Sequence, residues 1–236
     1  MTVDQGPAYQ VLAAQLREQI TSGRLRPGDR LPAEPQLCER SGVSRSTVRE
    51  ALRLLASQHL IVTTRGVTGG SFVNRPSVAD LADTVSDGMR MLIATGTVGA
   101  AQLFEVRETF EVPAAGLAAL RRTDADLDAL AAARYDPDGA GLDEMVDAIR
   151  AFHMALTAAT ANPVYELAML PLYHVANERE LGASAPAGFW HRVDAEHREI
   201  LRAIRARDAR AAREASAAHL AYLRAMFAAA SVTLGC

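Results

Sequence analysis

Residues 31–55 constrain the fold of this chain more than any other stretch, because they predict two short helices separated by a tight turn. Gly42 can adopt the positive φ that ends the first helix, and Ser44 can cap the start of the second. In the second helix, apolar residues such as Val48 and Leu52 recur at three- and four-residue steps, so that one face can be buried. This arrangement is typical of a helix-turn-helix.

The opposite face of the second helix carries polar and cationic side chains, those of Arg45, Ser46, Thr47 and Arg49. Side chains in the first turn of a helix project from its end, where arginines can reach guanine edges or phosphates. The partial positive charge of the helix N-terminus adds to the attraction for phosphate. An ordinary helical hairpin with solvated arginines would give the same local pattern. The flanking sequence is therefore needed to distinguish that hairpin from a DNA-binding helix-turn-helix.

The flanking sequence supplies the remaining parts of a winged helix-turn-helix. Upstream, residues 8–22 predict an amphipathic helix. Downstream, residues 60–64 and 71–74 are strand-like runs on either side of a glycine-rich hairpin at residues 65–70. We therefore expect three helices followed by a β-hairpin wing.

Motifs in this half of the chain follow one another in a specific order. They are Gly23-x-Leu25-x-Pro27-Gly28-x-x-Leu31-Pro32-x-Glu34, Gly42-Val43-Ser44-Arg45-x-Thr47-Val48-Arg49-Glu50-Ala51-Leu52, Leu60-Ile61 and Gly70-Ser71-Phe72-Val73. With these motifs the chain resembles the GntR family of bacterial transcription regulators over nearly all of residues 8–74. The resemblance implies an operator-binding surface formed by Glu34, Ser44, Arg45, Ser46, Thr47, Arg49, Arg65, Gly69 and Gly70. Pro35 is a departure, because many family members have an arginine there that touches DNA.

The distribution of charge agrees with DNA binding by the N-terminal part. Residues 1–75 contain 10 arginines and 6 acidic residues, whereas residues 76–236 contain 15 arginines and 22 acidic residues. A basic excess suits a surface that binds phosphates. Cys38 and Cys236 make no disulfide framework, and the sequence suggests neither a signal peptide nor a membrane partner, so we expect a cytoplasmic protein.

A break around Pro76 separates a DNA-binding domain, residues 1–75, from a domain for effector binding and dimerisation, residues 76–236. Apolar periodicity in the second domain predicts helices throughout. These span residues 78–95, 98–121, 125–133, 142–159, 163–180, 188–206 and 208–230. The expected fold is mainly α, with an N-terminal winged helix-turn-helix, a small β-hairpin wing and a C-terminal all-α antiparallel helical bundle.

Further motifs place three histidines in this bundle. They are Phe104-Glu-Val-Arg107-x-x-x-Glu111, Phe152-His153-x-x-Leu156, His197-Arg-x-Ile200 and His219-Leu220. The motifs resemble the FCD-type ligand-binding domain of the FadR subfamily, many members of which hold a divalent metal with three histidines and an aspartate, beside a small organic acid. The resemblance implies that His153, His197 and His219 bind one zinc or nickel ion per chain.

The aspartate of that ligand set is missing from this chain. Its usual position, four residues before the first histidine, is Ile149, and Asp147 lies about 120° away around the helix. Three histidines can still hold a metal with an open position; the alternative is that they are hydrogen-bonded residues without a metal. His59, His174 and His191 match no ligand position, and we expect them to be structural or exposed.

Arg107 is the candidate for binding the effector, because a guanidinium can grip a carboxylate through two parallel hydrogen bonds. An intrahelical ion pair with Glu111, four residues later, is the alternative. Tyr173, Asn177 and Trp190 could line the same pocket, although aromatic residues of an ordinary core would give the same pattern.

The sequence therefore predicts a homodimeric transcription regulator, a repressor, that reads a near-palindromic operator and responds to a small organic acid. Two alternatives stay open. A bundle without metal could sense an apolar or fatty ligand, which Ile149 and the alanine-rich helices would suit. A metal-dependent enzyme could use the three histidines, but it would need a general base that no motif such as H-E-x-x-H supplies here.

Overall fold

The computed structural model describes residues 6–66, 69–75, 77–176 and 183–230. The chain divides into two compact units, Met1–Ser77 and Val78–Cys236. Among the described residues, no helix combines the length and the apolar character that crossing a membrane requires.

The N-terminal unit contains three helices and a two-stranded sheet. The helices are α1 (Ala8–Thr21), α2 (Glu34–Ser41) and α3 (Arg45–Ser57), and the strands are β1 (Ile61–Thr64) and β2 (Gly70–Val73). The strands pair antiparallel, with Ile61 opposite Val73 and Thr64 opposite Gly70. This unit is the predicted winged helix-turn-helix.

Local chemistry fixes the turn between α2 and α3. Gly42 follows α2 in the left-handed conformation, with φ 68°, which a side chain would strain. Ser44 caps α3, and its side chain accepts a hydrogen bond from the backbone N–H of Thr47. The apolar face of α3 then packs into a core, because Val48 and Leu55 are fully buried. Burial of this face positions the polar face of α3 toward solvent.

The described residues of the C-terminal unit form helices joined by loops, and they contain no strand. Its helices are α4 (Val78–Ala94), α5 (Ala100–Arg121), α6 (Asp124–Ala132), α7 (Leu142–Ala158), α8 (Pro163–Val175), α9 (Phe189–Arg205) and α10 (Ala209–Ala230). The predicted class, mainly α with an N-terminal wing and a C-terminal helical domain, is confirmed. The prediction that α8 continues to residue 180 is wrong at Ala176, whose backbone is extended, with ψ 122°; residues 177–180 lie outside the described part.

Small residues let the long helices of this unit approach closely. On α5, the residues Ala114, Ala115 and Ala118 are fully buried, and α5 packs along α10. A Cβ added at Gly116 would lie 2.5 Å from Nη1 of Arg213 and 3.2 Å from the Ala209 carbonyl oxygen, so α10 packs directly on the bare backbone of α5. The close packing brings side chains from α5, α7, α9 and α10 together in the interior.

Candidate nucleic-acid interface and metal centre

The N-terminal end of α3 presents a cluster of polar groups. The Ser44 hydroxyl lies 2.8 Å from that of Ser46 and 2.9 Å from that of Thr47. Arg45, Ser46 and Arg49 are exposed, and Thr47 is half-buried. The positive end of a helix thus carries hydroxyl and guanidinium donors on one accessible surface, which suits phosphates and base edges.

A side chain from α2 holds one of these arginines. The Nε atom of Arg49 donates to Oε2 of Glu34, the first residue of α2, over 3.0 Å. This contact leaves the two terminal nitrogens of Arg49 as the pair that can face a guanine edge. Glu34 therefore lies on the predicted DNA-binding surface, where it orients Arg49.

The wing adjoins α3 across a groove with a volume of about 750 Å³. Its walls include Arg49 and Arg53 of α3 and Arg65, which follows β1 and is exposed. Arg53 was absent from the predicted DNA-contacting residues, because nothing in the sequence shows that its turn of α3 faces the wing.

Two glycines of the wing lie in close contacts, Gly69 with backbone and Gly70 with the side chain of Arg30. Gly69 and Gly70 are half-buried, and a Cβ at Gly69 would lie 2.6 Å from the Thr64 carbonyl oxygen. A Cβ at Gly70 would lie 2.8 Å from Nε of Arg30, whose guanidinium also donates to the Gly69 carbonyl. Residues 67–68 of the hairpin lie outside the described part.

The three predicted histidines meet inside the C-terminal unit. His153 on α7, His197 on α9 and His219 on α10 are each at most 1% exposed. Nε2 of His219 lies 3.4 Å from Nε2 of His153 and 3.3 Å from Nε2 of His197. In a tetrahedral zinc site, Zn–N bonds of 2.0–2.1 Å place the ligand nitrogens about 3.3–3.4 Å apart. Two of the three Nε2–Nε2 separations match this value, and the ligand nitrogens of all three histidines lie within 4.8 Å of one another, so the cluster can hold a zinc-like ion.

Two glutamates contact these histidines from outside the centre. Oε2 of Glu111 lies 2.8 Å from Nδ1 of His153, and Oε2 of Glu196 lies 2.9 Å from Nδ1 of His219. His197 instead stacks on the Phe152 ring, with the ring centroids 4.0 Å apart. Sequence reasoning missed Glu196 entirely and considered Glu111 only as a partner of Arg107, since a contact between helices leaves no periodic signal.

Arg107 lies in the same buried cluster. Its Nε atom donates to Oε1 of Glu111 over 2.6 Å, and its Nη2 atom is 3.5 Å from Nε2 of His153. The guanidinium also lies over the Tyr173 ring, 5.6 Å from its centroid, and the Tyr173 hydroxyl is 3.0 Å from that of Thr157. Arg107 thus forms the intrahelical pair and also borders the histidines, so the two interpretations left open by the sequence are compatible.

The remaining predicted residues are placed as follows. Ile149 is buried, in an apolar cluster with Phe104, Val193 and Leu223. Asp147 is exposed and pairs with Arg150, so it does not join the histidines.

Trp190 packs against Tyr135 and Phe189. Asn177 lies outside the described residues. His174 contacts Asp83, and the exposed His191 contacts Asp138.

The protonation states at the centre suit metal binding. Burial and the neighbouring histidines lower the pKa of His197 well below its usual range. Burial also lowers the pKa of His219, although Glu196 partly opposes this effect. Burial alone would raise the pKa of Glu111, but Arg107 and His153 outweigh it and lower that pKa to about 2. The centre therefore combines an ionised carboxylate with two imidazoles, those of His197 and His219, whose lowered pKa values favour the neutral form that binds metals.

Replacing Arg107 with methionine should destabilise the C-terminal unit by roughly 3–5 kcal/mol, because the ionised Glu111 would stay buried without its cation. The measurement is urea unfolding of the full chain followed by the fluorescence of Trp190, the one tryptophan of the chain. The double variant Arg107→Met/Glu111→Leu removes both charges and should recover most of the loss. Equal stability of the single variant and the parent would contradict the ion pair described above.

Together, these features define the class of protein. A winged helix-turn-helix with an arginine-lined groove, joined in one chain to a helical domain with a buried polar centre, is a DNA-binding transcription regulator. The chain belongs to the GntR family of bacterial regulatory proteins: residues 8–73 match the model of that family, and residues 102–222 match the FCD domain.

Known transcription regulators are similar to this chain over most of its length, which supports the assignment to the GntR family. The HTH-type transcriptional regulator LutR of Bacillus subtilis (strain 168) is 32% identical over 197 residues, which cover 79% of this chain and 86% of LutR. The Glc operon transcriptional activator of Escherichia coli (strain K12) is 28% identical over 222 residues, covering 88% of this chain and 84% of that protein. A solved GntR structure from Streptococcus agalactiae aligns with a TM-score of 0.61 at 25% identity, covering 92% of this chain and 99% of that one. These relatives are regulators, and the chain is a regulator rather than an enzyme.

Proposed function

We propose that this regulator binds a near-palindromic operator as a homodimer and releases it when a small organic acid binds in the C-terminal unit. The convergence of three buried histidines beside the buried guanidinium of Arg107 supports this proposal most directly. With a divalent ion bound, such a centre would carry a net positive charge that attracts an anion, and a structural core has little use for three buried imidazoles beside a buried ion pair.

The donors of the centre determine which ligand it would take. His153, His197 and His219 would hold a divalent ion, zinc or nickel, because imidazole nitrogens suit both metals. Such an ion would supply an open coordination position for one carboxylate oxygen. The terminal nitrogens of Arg107 would donate to the same carboxylate, while Tyr173 would cover it from α8.

The N-terminal unit would read the operator with the residues predicted from the sequence. Arg45, Thr47 and Arg49 would contact bases and phosphates, and the wing at Gly69 and Gly70 would lie in or beside the minor groove. One such unit covers only one half-site, so a second copy of the chain is needed for a near-palindrome. We propose repression relieved by the acid, with a coupling free energy of about 1–3 kcal/mol between the two sites.

The test is operator binding by the full-length protein to the intergenic DNA upstream of its own gene. Fluorescence anisotropy at one fixed salt concentration would compare four conditions, with neither ligand, with zinc, with a panel of small carboxylic acids, and with both. We expect specific binding with two chains per site, weakened about 5–150-fold by one acid in the presence of metal. The same affinity under all four conditions would contradict the proposal.

A centre without metal is the second candidate, and one observation favours it. Ile149 fills the position of the missing ligand and packs with Phe104, Val193 and Leu223, so an apolar layer adjoins the histidines. A bundle of this kind would take an apolar or fatty acid whose carboxylate meets Arg107. Metal analysis of the purified protein separates the two candidates, because this one requires no bound ion.

A further inference from the structure

We propose that Glu111 and Glu196 are positioning residues that enable the three-histidine centre to hold a divalent ion without the aspartate. The inference rests on the metal site of the proposed function and names the residues that replace the missing charge. Neither glutamate would touch the ion, because each lies on the Nδ1 side of its histidine while the Nε2 atoms converge.

The contact with Glu196 fixes the tautomer of His219. A neutral imidazole carries its hydrogen on one nitrogen, and the carboxylate oxygen 2.9 Å from Nδ1 of His219 requires the hydrogen there. Nε2 of His219 is then an acceptor, and it lies 3.3 Å from Nε2 of His197 and 3.4 Å from Nε2 of His153. Its lone pair therefore faces the space between the three histidines, where a cation would accept it.

Each of the two carboxylates is paired with an arginine, Glu111 with Arg107 and Glu196 with Arg192. The formal charges of these four side chains sum to zero, and a divalent ion would raise the sum to +2. The glutamates thus offset the charge of the nearby arginines, and the positive charge of the ion would favour an anionic acid as effector in place of the missing aspartate.

The two arginines also restrict the movement of the carboxylates. Glu196 is itself held, because Oε1 accepts from Nε of Arg192 over 2.8 Å while Oε2 faces His219. Glu111 is held in the same way by Arg107 over 2.6 Å. Each positioning carboxylate therefore keeps one oxygen fixed by an arginine and presents the other to a histidine, which restricts rotation of that imidazole ring.

The test compares Glu196→Gln with Glu199→Gln in the full-length protein. Both changes remove one negative charge from α9, but Glu199 is exposed and pairs with Arg202, away from the histidines. Affinity for zinc and for cobalt, by competition with a chromogenic chelator, should fall about 10–100-fold in Glu196→Gln and stay unchanged in Glu199→Gln. Glu111→Gln should weaken binding as well, with circular dichroism to establish that it is folded.

A second readout needs no metal. In ¹⁵N-histidine NMR spectra of the metal-free protein, His219 should be the Nδ1–H tautomer in the parent and in Glu199→Gln, and should lose that preference in Glu196→Gln. Parent-like metal affinity in both Glu196→Gln and Glu111→Gln would overturn this inference and leave the proposed function intact. A parent protein that binds neither ion would overturn the metal part of the proposed function, and this inference with it.

Discussion

Arg49→Ala should nearly abolish specific operator binding. A bidentate arginine contact with guanine contributes about 1–3 kcal/mol of discrimination, and the proposed dimer would lose it at both half-sites, so the expected loss is roughly 30-fold to 20,000-fold in affinity. The loss should lie toward the larger value, because the substitution also leaves the carboxylate of Glu34 without its partner beside the negatively charged DNA. Anisotropy titrations with operator and with scrambled DNA measure the effect.

Arg24→Ala is the matched control for this prediction. Arg24 belongs to the same unit and is exposed like Arg49, but it pairs with Glu18 of α1 and does not line the groove beside α3. Its replacement removes the same charge, so any general electrostatic loss should appear in both variants and on both DNAs. Comparable discrimination between operator and scrambled DNA in Arg49→Ala and the parent would contradict the assignment of α3 as the recognition helix.

The sequence predicted the winged unit well because its signals are local. The apolar steps of α3, the cap at Ser44 and the left-handed turn at Gly42 each involve residues within a few positions of one another. The end of α8 was predicted less well, since no glycine or proline follows Val175 directly to mark the end of the helix, whereas Ala176 is already extended. Periodicity reports which face of a helix can be buried, and it does not report where the backbone leaves the helix.

The centre shows the same division between local and long-range information. The resemblance of this chain to the FCD-type domain predicted His153, His197 and His219 as metal ligands, and the structure brings them together. Glu196 could not be predicted as a partner of His219, because the contact joins two helices across 23 residues and depends on their packing. The metal itself, the effector and the sign of regulation stay predictions, and the experiments above address them.

Ile149→Asp should raise the affinity for zinc by more than the roughly 10–100-fold that outer carboxylates contribute, because it adds a direct ligand. Residue 149 lies four positions before His153 on α7, so both side chains share one face of the helix. Val193 and Leu223 lie at the same four-residue spacing from the other two histidines and pack with Ile149. An aspartate at this position would therefore project from the apolar layer toward the open side of the three imidazoles.

The same substitution should have opposite effects on stability with and without the ion. Without metal, a carboxylate replaces a side chain that is 2% exposed, so the melting temperature should fall below that of the parent. With zinc, ligation offsets this cost, and the metal-dependent rise in melting temperature should exceed the rise in the parent. Ile149→Asn is the matched control, since it carries the polar cost without the anionic ligand; it should show the fall, with a zinc-dependent rise no larger than that of the parent. If zinc raised the melting temperatures of the aspartate and asparagine variants equally, residue 149 would not face the metal. Ile149 would then not be the reason why the parent centre has an unfilled coordination position.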